Sequence, residues 1–130
     1  MPVLAQLPKP DVVPPQEGRD IVLTKACLRA SDLLGLSGGE LARILGVSEG
    51  SVSRMPRGDY LLKGKPYELA AHLVRIFRSL DAIVGSDPAS LRGWMRGDNA
   101  HLSGVPAQMI QSVSGLIAVQ DYLDAQRAPL

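Results

Sequence analysis

The sequence has little cysteine, little net charge and no long hydrophobic run. Cys27 is the only cysteine, so no intramolecular disulfide and no cysteine-based metal cluster can form. His72 and His101 lie far apart in the chain and suggest no metal site. A nucleophile with a base beside it is missing too, and the acidic residues are scattered, so no catalytic set can be assembled. The chain is therefore read as a non-enzyme that needs no cofactor. Its net charge is only +1, so any affinity for nucleic acid has to come from a local basic patch or from dimerisation. No stretch of about 18 apolar residues occurs, and the first residues lack the basic-then-apolar order of a secretory signal. The expectation is a soluble, cytoplasmic protein with no membrane partner.

What is present suits a globular fold. Apolar residues make up 45% of the 130 and charged residues 21%, enough to bury a core in one compact domain or in two small halves that share one. The segment Met1 to Gln16 contains Pro2, Pro8, Pro10, Pro14 and Pro15, which remove donors and fix φ. Residues 1–18 are expected to form an extended arm.

From Arg19 the spacing turns helical. Ile21, Val22, Ala26, Leu28, Leu33 and Leu34 recur every three or four residues before Gly35, predicting a first helix with Ser31 as the place for any break. Short helices follow over Gly38–Leu45 and Ser48–Met55, the second stopped by Pro56. The longest is expected over Pro66–Val84, with an apolar stripe of Leu69, Leu73, Ile76, Phe77, Leu80, Ile83 and Val84 and a C-cap at Gly85. Ser86 or Asp87 is the candidate cap of a helix that starts at Pro88 and carries Leu91, Trp94 and Met95. Pro106 opens another through Ile110, and Ser114 is the expected cap of a last one carrying Leu116, Val119 and Leu123, with a tail from Asp124. No alternating strand pattern of useful length appears. The fold class is all-α.

The stretch Gly38 to Met55 reads GGELARILGVSEGSVSRM. Ala42 is small enough to let two helices approach, Gly46 tolerates positive φ in the turn, and Leu41, Leu45, Val47 and Val52 supply the wedge between them. Ser48 caps the second helix. A purely structural helical hairpin has the same geometry, but small, glycine, cap and β-branched positions all coincide here. The stretch resembles the helix-turn-helix of the Xre class of phage-repressor-like regulators, which implies operator DNA as a partner. In such a motif the start of the second helix enters the major groove. The candidates for DNA contact are then Ser48 and the outward Glu49, Gly50, Ser51, Ser53 and Arg54, with Arg54 foremost. Arg57, Lys63 and Lys65 extend the patch against Asp59 alone. Glu49 would repel phosphate, and Gly50 costs its helix about 1 kcal/mol relative to alanine. DNA binding is therefore expected to need a dimer or a larger assembly.

The rear half carries LVRIFRSLDAIVGSDPASLRGWM (Leu73 to Met95), NAHLSGVPAQMI (Asn99 to Ile110) and SGLIAVQDYLDA (Ser114 to Ala125). A long helix, a helix ending in Trp94-Met95, a loop with Asn99 and Leu102, and a last helix ending in Leu123-Asp124 follow in that order. The order resembles the toxin-binding domain of the Xre/MbcA/ParS antitoxins, where leucine is usual at Met95 and a more polar turn at Ser103-Gly104-Val105. The division expected is a helix-turn-helix domain over 19–65 and a toxin-binding domain over 66–130.

The resemblance implies an antitoxin that covers the active site of a RES-domain toxin, an NAD-consuming or ADP-ribosylating enzyme encoded in the same operon. It further implies a homodimer within a hetero-oligomeric complex. The matching toxin-binding positions are Trp94, Asn99, Leu102, Asp121, Tyr122, Asp124, Gln126, Arg127 and Leu130. Arg127 and a carboxylate at Leu130 would mimic polar groups of a nucleotide. By physics alone Trp94 reads first as a core anchor and only secondarily as an interface hot spot, and Asn99 as a loop or cap residue before a partner contact. A helix-turn-helix repressor with no toxin partner is the competing reading.

Overall fold

A computed structural model describes residues 15–127. Among the described residues the chain forms seven α-helices: α1 (Pro15–Leu34), α2 (Gly38–Leu45), α3 (Glu49–Arg54), α4 (Gly64–Val84), α5 (Pro88–Arg96), α6 (Pro106–Met109) and α7 (Val113–Arg127). A 3-10 turn, Met55–Arg57, follows α3. No strand occurs among them, and the extended pairing present is a bridge between Asn99 and Gly104. The all-α class stands.

Most of the expected arm lies outside the described residues, but its last four are already helical. The exclusion of helix up to Gln16 is corrected for a simple reason: at the first helical position proline's missing N–H has no bond to lose, and its φ already fits. Nor does α1 break at Ser31, which is buried within it. The helix ends where Leu36 N–H donates to the Ser31 carbonyl (2.9 Å) and Gly35 N–H to that of Asp32 (3.1 Å). Gly35, at φ +74°, takes the left-handed position of this motif. Inside α1, the Thr24 hydroxyl donates to the Asp20 carbonyl at 2.6 Å and accepts from Leu62 N–H at 3.1 Å. That pair of bonds fastens the loop before α4 onto α1.

The turn chemistry of α2 and α3 follows the sequence closely. Ser37 and Glu40 form a reciprocal capping box at the start of α2, and Gly46 ends it at φ +69°, while Ser48 caps α3. Leu41, Ala42, Leu45 and Val52 are buried between the two helices. Three boundaries move. Gly64 opens α4, leaving Pro66 in its first turn. Ser86 sits at φ +66°, so Asp87 alone caps α5, its carboxylate accepting from the Ser90 hydroxyl (2.6 Å) and N–H (3.1 Å). The last helix is capped by Ser112 in place of Ser114: its Oγ accepts from Gly115 N–H at 3.1 Å. That helix runs on through Arg127, where a tail from Asp124 was expected.

The core is one body centred on α4, which packs against α1, α2, α5 and α7. Leu73, Ile76 and Leu80 have no exposed surface, and neither do Leu34 of α1, Leu45 of α2, Met95 of α5 and Val119 of α7. Cys27 is buried there as well, and burial pushes its thiol up to about 12. The described residues share this one core.

Polar side chains stitch the front of the chain to the rear. The Arg96 guanidinium reaches both Glu40 oxygens, at 2.6 and 2.7 Å, and the Gly35 carbonyl at 2.6 Å. Its hydrogen bonds hold the Glu40 carboxyl down at about 2. Arg92 donates to the Asp32 carbonyl at 3.0 Å and Arg43 to the Gln111 amide oxygen at 2.6 Å.

Two outcomes follow. A Cβ on Gly115 would lie 1.9 Å from the Met109 carbonyl oxygen, a backbone clash that no side-chain rotation relieves. Gly115→Ala should therefore cost about 2–3 kcal/mol, read as a lowered midpoint in urea; an unchanged midpoint refutes that packing. Glu40→Gln keeps a capping-box acceptor but removes the ion pair, a loss of about 2 kcal/mol near pH 7. Because the native carboxyl titrates below its ordinary value, the parent's advantage is full above about pH 5 and fades as pH falls towards 2. Chemical denaturation of both proteins across that range should show the gap closing, and a pH-independent gap contradicts it.

Candidate functional site

Two surfaces carry the candidate residues. The first is built by the turn between α2 and α3. Ser48 Oγ accepts from Ser51 N–H at 3.0 Å, fixing the start of α3 and leaving Gly50, Ser53 and Arg54 exposed. Ser51 departs from its expected outward position. It is 8% exposed, its hydroxyl lies 3.0 Å from that of Ser48, and it accepts from Arg54 at 3.4 Å. The reason is local: three residues after the cap, its side chain is turned onto the capping serine and beside Val52.

The Glu49 carboxylate lies against Gly39 of α2, where a Cβ would meet its oxygen at 2.7 Å. It remains exposed and makes no ion pair among the described residues, so its expected repulsion of phosphate stands. Arg57 lies 3.7 Å from Asp59, and Lys65 2.9 Å from Glu68. The Lys65–Glu68 hydrogen bond raises the lysine and lowers the glutamate from their ordinary values. Both pairs are exposed and worth little, so phosphate can displace the acids. Lys63, at the foot of α4, is exposed and makes no ion pair among the described residues.

The second surface lies on the rear half. Trp94 of α5 and Tyr122 of α7 stack with ring centroids 6.5 Å apart and planes 17° apart. His101, from the loop between α5 and α6, also stacks with Tyr122, at 5.9 Å and 25°. Trp94 and Tyr122 are half-buried and packed against the core, and His101 is exposed. Trp94 thus anchors the core with one part of its indole and faces outward with another. Asn99 works within its own loop: its side-chain oxygen accepts from Leu102 N–H at 3.1 Å, and its backbone pairs with Gly104. Leu102 is half-buried against the core. The tight loop so formed presents His101.

The end of α7 is folded onto α4. Asp124 pairs with Arg75 at 2.8 Å and accepts from the Ser79 hydroxyl at 3.2 Å, while Arg127 donates to that hydroxyl at 3.3 Å. Asp121 and Gln126 are exposed. Leu130, with the carboxylate expected there, lies outside the described residues. Sequence reasoning overlooked His101, whose place beside Tyr122 is set by packing, and the partners Arg75 and Ser79, which stand more than forty residues before α7's end.

Residues 19–75 match the family described as the antitoxin Xre-like helix-turn-helix domain. Residues 79–128 match the antitoxin Xre/MbcA/ParS C-terminal toxin-binding domain. The seam between them falls inside α4, about ten residues beyond the expected boundary at 65. No curated protein matches the chain. The two matches follow one another with hardly a gap and take in both surfaces, and the chain belongs to the Xre/MbcA/ParS family of antitoxins, with a DNA-binding type of fold in front and a toxin-binding domain behind.

Proposed function

We propose that this antitoxin neutralises a RES-domain toxin, an enzyme that consumes NAD or transfers ADP-ribose from it, by covering its active site with the aromatic ridge and the end of α7. We further propose that it represses its own operon as a homodimer within a hetero-oligomeric toxin–antitoxin complex in the cytoplasm. The observation that carries the first part is the Trp94–Tyr122–His101 stack. The chain has one Trp, three Tyr and one Phe, and two of these five line up with a histidine on the face of the toxin-binding domain. Rigid aromatic groups exposed on one side and locked by packing on the other are the usual anchors of protein interfaces.

Asp121 and Gln126, exposed beside that ridge on α7, are the polar contacts proposed for the rim. Asp124 and Arg127 are assigned to holding α7 in place through Arg75 and Ser79 until the toxin engages. On the front surface, Gly50, Ser53 and Arg54 are the proposed base-edge and phosphate contacts, and Arg57, Lys63 and Lys65 the phosphate contacts. Ser51 is withdrawn from that set. A single six-residue helix with a modest patch favours paired half-sites, hence the dimer.

Two measurements decide these points. With the RES-type protein from the neighbouring reading frame, His101→Ala and Tyr122→Ala should each weaken binding about ten-fold or more and release its NAD-consuming activity. His101→Ala should leave the unfolding temperature of the antitoxin unchanged. Full neutralisation by both variants refutes the ridge, and the absence of any binding by the parent refutes the RES assignment. For DNA, binding to the chain's own upstream region should weaken with salt. Arg54→Ala should reduce affinity about 10- to 100-fold, and Lys63→Ala should lower the salt slope by about 1. Binding that is insensitive to salt and to Arg54 contradicts the proposed interface.

A further inference from the structure

Along the side of α4 that carries Tyr67, α1 and α4 leave a groove of about 700 Å³ between them, lined also by Arg127 of α7. Its lining includes the apolar Val22, Ala71 and Val74, and Val22, 69% exposed, is the most exposed large hydrophobic residue among the described residues. Arginines ring it: Arg19 on α1, Arg75 and Arg78 on α4, and Arg127. Only one of the four is neutralised among the described residues, Arg75 by Asp124. Arg127 meets a hydroxyl, and Arg19 and Arg78 make no ion pair there. A partly apolar trough is therefore flanked by arginines of which three make no ion pair among the described residues.

We infer that this groove is a second protein-docking site, which takes an amphipathic helix of a partner whose apolar stripe is flanked by carboxylates. Charge complementarity selects that occupant. A second copy of this chain related by a two-fold axis would bring the same arginines face to face, a repulsive arrangement. Residues 1–14, which precede α1, hold one lysine and one aspartate and bring no surplus of negative charge. A nucleic-acid backbone would satisfy the arginines but would leave Val22 and Val74 against phosphate and sugar, with nothing apolar to cover them. A helix with leucines at every third or fourth position, and glutamates on both shoulders, satisfies floor and rim together.

The groove is separate from the aromatic ridge. Tyr122 faces Trp94 and Asp124 faces Arg75; two residues apart on a helix, they point about 160° apart around its axis. The inference does not depend on the identity of the toxin.

The test uses a synthetic helical peptide of about 18 residues with a leucine stripe and glutamate shoulders, and a twin carrying lysine for glutamate. Titrated into isotopically labelled protein, the glutamate peptide should shift the amide signals of Val22, Ala71 and Arg78 and leave the Trp94 indole signal in place. The lysine twin should bind at least about ten-fold more weakly. Val22→Glu and Arg78→Glu change exposed side chains and should each abolish the shifts while the circular dichroism and unfolding temperature hold. Either variant suffices if the other fails to fold. Equal binding of the twin, shifts centred elsewhere, or retention of binding by a folded variant overturns the inference. So does a random DNA duplex that produces the same shifts at those residues, or a dimer that Val22→Glu converts to monomer.

Discussion

Leu73, Ile76 and Leu80 run along α4 without any surface exposed to water, and covering them requires helices from both ends of the chain. Each buried leucine or isoleucine contributes about 1.5–3 kcal/mol, and neither half could retain that alone: without α7 one flank of α4 is open, and without α1 the other. The front and rear families therefore meet in the middle of one helix and share a single interior. Separate domains on a linker would leave α4 amphipathic and half wet. A shared one makes the surfaces proposed for DNA and for toxin parts of one piece.

Glu40 shows how that unity is reinforced. Its carboxylate caps its own helix through Ser37 and also receives Arg96 from the rear half. A capping residue is normally a local matter. Tying it to a guanidinium more than fifty residues downstream links the folding of the first helix of the turn motif to the seating of α5. The Asp124–Arg75 pair and the Arg127–Ser79 bond fasten the end of the last helix to α4, so it is not merely laid on a greasy surface.

Local chemistry was readable in the sequence, and long-range side-chain geometry was not. Gly46, Ser48, Gly85 and Asp87 act as caps and turns because their roles depend on neighbours within four residues. The Gly115 position shows the limit. Ser112 and Ser114 both precede the helical pattern, and what selects Ser112 is the Met109 carbonyl pressed against a glycine that has no room for a side chain. A serine three residues before such a glycine was the available signal. Ser51 was placed outward because a wheel drawn on so short a helix cannot show a hydroxyl turned back on its cap. The aromatic ridge was half legible: Trp94 and Tyr122 stood out by type, whereas His101 joins them only through the fold of the Asn99–Gly104 loop.

Cys27 offers a practical consequence. The thiol is fully covered, and burial keeps it protonated near neutrality, so it lacks both the access and the thiolate that alkylating reagents need. The natural chain thus behaves chemically as though it were cysteine-free. Spin labels or fluorophores can be placed at engineered cysteines, one on each surface, without first removing the native one, and distances between the two faces become measurable in an otherwise unaltered core.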